Sequence, residues 1–142
     1  MRLHRDAKVE LIRRIPLFAA CTADELALVA SIADEIDLRD GRQLTTENAQ
    51  GGELVVVIEG SADVHQDGRV VNSVGPGDYV GEIALVTGQP RTATVVATSP
   101  VHALVIEGHA FRRLLDESPE IRAKVEHSAS ERLDRDAGQS GA

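Results

Sequence analysis

A mainly β domain, a β-roll or jelly roll with helices on either side, is the fold this sequence predicts, and three observations carry the prediction. Turn signals recur at short intervals through the middle of the chain: Asp40-Gly41, Gly51-Gly52, Glu59-Gly60, Asp67-Gly68, Gly75-Pro76-Gly77-Asp78, Gly88-Gln89-Pro90 and Ser99-Pro100, with short β-branched runs between them. Before Asp34 and after His109 the apolar residues instead fall at helical spacing. The length, 142 residues, is enough for one domain with a core that needs neither disulfides nor metal.

Val9, Leu11, Ile12 and Ile15 predict a short helix from Ala7 to Arg14, ended by Pro16 because the residue before a proline is pushed out of the helical region. Leu17-Phe18 then turn into the core. Thr22-Ala23-Asp24-Glu25 is a capping box, in which the Thr22 hydroxyl and Glu25 carboxylate satisfy each other's free backbone donors. The helix it opens places Leu26, Val29, Ala30 and Ala33 on one face. Leu54 to Ile58 is the most apolar run and predicts a strand buried on both faces. Asp67-Gly68, between Val64-His65-Gln66 and Arg69-Val70-Val71, has the strongest hairpin chemistry. Helical spacing returns with Phe111, Leu114 and Leu115, and Ser118-Pro119 restarts the helix with an N-cap and a proline at its first position. Ile121, Val125, Ala129 and Leu133 form a thin stripe, suited to covering a pocket or pairing with a partner helix. The expected division is helices over about 7–33, the roll over about 35–107 and C-terminal helices over about 109–134, with 1–134 forming the domain and 135–142 a disordered tail.

Composition excludes several functions. A net charge of −8 repels polyanions such as DNA and acidic membranes. Aromatic side chains make up 2% of the chain, so the stacking platforms that bind single-stranded nucleic acid cannot be built. Lone Cys21 forms no internal bridge, and no run has signal-peptide or membrane-spanning length, so a cytoplasmic protein is expected. His4, His65, His102, His109 and His127 include no His-x-His pair and read as structural rather than metal-binding. No Gly-x-Ser-x-Gly elbow frames a nucleophile, and no catalysis, metal or cofactor is expected.

One stretch remains, Gly81-Glu82-Ile83-Ala84-Leu85-Val86-Thr87-Gly88-Gln89-Pro90-Arg91-Thr92-Ala93-Thr94, which reads as a short helix, a tight turn and a strand. Free amides at the helix start favour an anion, and the Arg91 guanidinium, preceded by Pro90, offers a planar fork to two phosphate oxygens. Glu82 would repel that anion unless it accepts a hydrogen bond, and a sugar hydroxyl beside the phosphate is the natural donor.

The pattern Gly-Glu, aliphatic, Ala-Leu, a short turn, Pro-Arg, a small residue, Ala-Thr resembles the phosphate-binding cassette of the cyclic nucleotide-binding domain family. That family includes cAMP-receptor-type transcription factors, kinase regulatory subunits and cyclic-nucleotide-gated channels. The resemblance implies an eight-stranded roll, a ligand that is cAMP or cGMP, and a binding set of Gly81, Glu82, Ile83, Ala84, Arg91, Thr92 and Ala93. Arg91 would take the exocyclic phosphate oxygens, Glu82 the ribose 2′-hydroxyl, and the Gly81–Ala84 amides the rest of the phosphate. Thr92 leaves cGMP open, since a hydroxyl beside the arginine can meet a guanine amino group. The C-terminal helices are expected to repack as a lid over the base and to meet an effector or a second copy of the chain. Arg122 or Arg132 could reach the base, although a solvated charged face is the simpler reading of that helix. A transcription factor would need a DNA-binding module, for which only the short polar tail remains, so no nucleic-acid partner is expected. A ligand-free interaction domain and a metal-dependent cupin-like enzyme are the competing classes.

Overall fold

The computed structural model describes residues 4–45, 52–87 and 93–140, with side chains at all of these except 45, 83, 84 and 132–140. Within them eight strands form two four-stranded antiparallel sheets. The first sheet has β1 (Ala33–Leu38), β8 (Val101–Glu107), β3 (Glu53–Glu59) and β6 (Tyr79–Val80) side by side in that order. The second has β2 (Gln43–Thr45), β7 (Thr94–Ala97), β4 (Ala62–Gln66) and β5 (Arg69–Val74). This is the β-roll expected from the turn spacing.

β3 shows why the two sheets enclose one interior. Side chains alternate across a strand, and here both faces are covered. Val55 and Val57 point into the roll with Leu44, Ala62, Val74, Val95, Ala97, Val101 and Ala103. Leu54 and Val56 point outward, with Leu104 and Ile106 of β8, into a second core shared with the helices. The unbroken apolar run in the sequence is thus a strand with hydrophobic neighbours on both sides.

The turns follow their chemistry. Asp67 and Gly68 between β4 and β5 both have positive φ, 54° and 78°, the geometry a two-residue hairpin needs to match strand twist. At Gly75-Pro76-Gly77-Asp78, Gly77 has φ 88°, the Asp78 amide donates to Gly75 O, and the Gly75 amide donates to Asp78 Oδ2. Gly60 is fixed twice over: its φ is +97°, and a Cβ there would lie 2.2 Å from the Pro100 carbonyl oxygen.

Against the outer face of the first sheet lies the helical layer: α1 (Arg5–Arg13), a 3₁₀ turn (Pro16–Phe18), α2 (Ala23–Ser31), α3 (Glu82–Thr87), α4 (Gly108–Glu117) and α5 (Pro119–Ser140). The capping box forms as the sequence predicts: the Glu25 amide donates to Thr22 Oγ1 and the Thr22 amide to Glu25 Oε1. Two boundaries differ from expectation. α2 ends at Ser31, and Ala33 opens β1 opposite Ile106, although it remains buried in the same core. Helical and strand periods both put Ala33 on the buried side, so spacing alone could not place the boundary. α5 runs on through 135–140, where small polar residues suggested a disordered tail. Propagation adds a hydrogen bond for each residue fixed, and Arg135 and Ala137 are good helix formers that extend a helix already nucleated. Gly51 of the Gly51-Gly52 turn signal and residues 141–142 lie outside the described residues.

Candidate ligand-binding site

β6 ends at Val80 in the first sheet and β7 begins at Thr94 in the second, so the Gly81–Ala93 stretch is the crossover between the sheets. Gly81 has φ 89°, a conformation that side-chain-bearing residues rarely adopt, and it turns the chain from β6 directly into α3. The helix starts at once, with the Leu85 amide donating to Gly81 O at 3.0 Å. Gly81, Glu82, Ile83 and Ala84 therefore form the entry and first turn of α3, as the sequence predicts.

Leu85 is fully buried in the helical-layer core beside Leu17, Phe18 and Phe111, and Val86 packs against the same cluster. These contacts seat α3 on β3 and against α4 and α5. Ala93 is half-buried and leads into β7. Arg91 and Thr92, with Gly88-Gln89-Pro90, lie outside the described residues, as do the side chains of Ile83 and Ala84.

Glu82 is 5% exposed, and a buried carboxylate is costly unless hydrogen bonds replace its water. One of those bonds comes from far along the chain. The Leu17 amide donates to Glu82 Oε1 at 2.9 Å, joining the 3₁₀ turn to the start of α3 across 65 residues of sequence. No sequence signal marks this partner, because a backbone N–H carries no residue identity and the separation exceeds any local pattern. What the sequence does show is that Pro16 has no N–H and that the Leu17 amide follows it at the opening of a turn, where an amide lacks an acceptor within the turn.

The helices next to α3 are tied at a second point. Lys124 Nζ of α5 lies 2.5 Å from Glu25 Oε1, the carboxylate that closes the α2 capping box. This ammonium, then the Thr22 amide, holds the Glu25 carboxyl below the ordinary range. The neighbouring Cys21 thiol is pushed up by burial and by the Glu25 charge, with Lys124 opposing, which leaves it a poor nucleophile. Arg122 is exposed and pairs with Asp116 at 3.3 Å and Glu126 at 3.2 Å, a solvated charged face. The Arg132 side chain lies outside the described ones. His102 Nε2 sits 2.6 Å from Glu35 Oε2, linking β8 to β1. Among the described residues no group of three or more His, Cys, Asp or Glu could hold a metal ion, and no helix is long and apolar enough to cross a membrane.

This fold and its crossover can be set beside known proteins. The sequence model of the cyclic nucleotide-binding domain matches residues 35–118, which enclose both sheets from Glu35 on and the whole of α3. The crystal structure of the N-terminal domain of a transcriptional regulator from Streptomyces coelicolor A3(2) is similar at 32% identity and a TM-score of 0.78, over 88% of this chain and 93% of that one. A cyclic nucleotide-binding-like protein from Brucella abortus is similar at 30% identity and a TM-score of 0.69, over 78% of this chain and 99% of that one. A cyclic nucleotide-binding domain from Methylobacillus flagellatus KT is similar at 26% identity and a TM-score of 0.75, over 96% and 79%.

Proposed function

The chain belongs to the cyclic nucleotide-binding domain family, and we propose that it is a sensor that binds cAMP at the Gly81–Thr94 cassette and relays the event through its C-terminal helices without catalysis. The observation that carries this reading is the placement of the cassette's first half. Gly81 at positive φ delivers Glu82 to the first turn of a helix inside the family-matched region, at the crossover between the two sheets. In this reading Arg91 takes the phosphate oxygens bidentately and the amides of Gly81, Glu82, Ile83 and Ala84 take the remainder. Glu82 accepts from the ribose 2′-hydroxyl, while Thr92 and Ala93 line the phosphate side.

Ligand binding shifts a population. The state with the C-terminal helices closed over the base is favoured to the extent that they contact the ligand in that state alone. The aromatic residues of the chain are Phe18, Tyr79 and Phe111, none of them on α5, so α5 would cover the base with aliphatic or guanidinium groups. Thr92 makes cGMP the alternative ligand. The output passes to an effector or a second copy at the C-terminal helices, in the cytoplasm. The Streptomyces coelicolor relative is part of a transcriptional regulator, which favours control of transcription among the outputs such a sensor could have.

Thermal denaturation with cAMP, cGMP, AMP and divalent metals tests the reading. At about a hundredfold excess over Kd, a true ligand adds about 2.7 kcal/mol. For a domain of this size that raises Tm by roughly 5 to 10 °C. A shift with a cyclic nucleotide and none with AMP is expected. No shift with either cyclic nucleotide leaves a ligand-free interaction domain, and a shift with metal alone leaves a cupin-like enzyme.

A further inference from the structure

We draw no further inference here: the strongest candidate, the exposed apolar pair Val70-Val71 on β5, the edge strand of the second sheet, carries nothing, because nothing among the described residues shows what covers it.

Discussion

Among the described residues, the buried side chains inside the roll are Leu44, Val55, Val57, Ala62, Val74, Val95, Ala97, Val101 and Ala103, all small or aliphatic. In the helical layer they include Phe18, Phe111, Ile12, Ile15, Leu17, Leu26 and Ile121. The contrast reflects what holds each region. Backbone ladders fix the separation and register of the strands, so side chains of modest size fill the space that remains. The helices have no ladder between them. They are joined by interlocking large side chains and by single polar links such as Leu17 to Glu82 and Lys124 to Glu25, and Lys8 Nζ of α1 donates to Ala33 O at the start of β1 at 3.0 Å. A region held by packing and single links can repack at far less cost than one held by ladders. The candidate cassette runs from one sheet to the other and rests on this looser layer.

Truncations test the contrast most strongly. Phe18→Ala should cost about 3 to 5 kcal/mol, because it empties a fully buried site and removes the contact with Phe111. Val57→Ala, in the roll, should cost about 2 kcal/mol, set by its smaller side chain. Urea unfolding of both variants measures the difference, and equal losses would break the distinction between the two cores. Gly60→Ala should cost at least about 2 kcal/mol, since the new Cβ needs a strained φ and meets the Pro100 carbonyl at 2.2 Å. That loss would show the roll limited by backbone approach rather than by side-chain volume.

The smallest effect concerns the polar links. Because the Glu25 carboxyl is held below its ordinary value near 4.5, it takes up protons less readily in the folded than in the unfolded chain. Its contribution is therefore complete above that value and is lost as pH falls through the depressed one. Lys124→Met should lower stability at pH 6 by about 1 kcal/mol or less, as both groups keep some contact with water. Stability measured from about pH 6 to about pH 3 should fall less steeply in Lys124→Met than in the parent chain. Parallel pH profiles would show that the link contributes nothing.

Legibility in the sequence divides along the same line. Asp67-Gly68, Gly75 to Asp78 and the Leu54–Ile58 run announce the roll because turn chemistry and two-sided burial are written in residue types at adjacent positions. The capping box at Thr22 and Glu25 is equally local, and it forms. Gly81-Glu82 at a helix start is readable for the same reason. Leu17 and Lys124 were not. One acts through its backbone, and the other is an ordinary lysine on a helix whose partner lies 99 residues earlier. The Ala33 boundary failed because a small apolar residue fits both periods.

Calorimetric titration of cAMP and cGMP into the parent chain and Arg91→Ala tests the central claim most directly. The account predicts saturable binding of a cyclic nucleotide by the parent. It predicts that Arg91→Ala weakens binding by about 10- to 150-fold, the loss of a charge-assisted pair worth about 1.5 to 3 kcal/mol. Binding by Arg91→Ala as tight as that of the parent would contradict it.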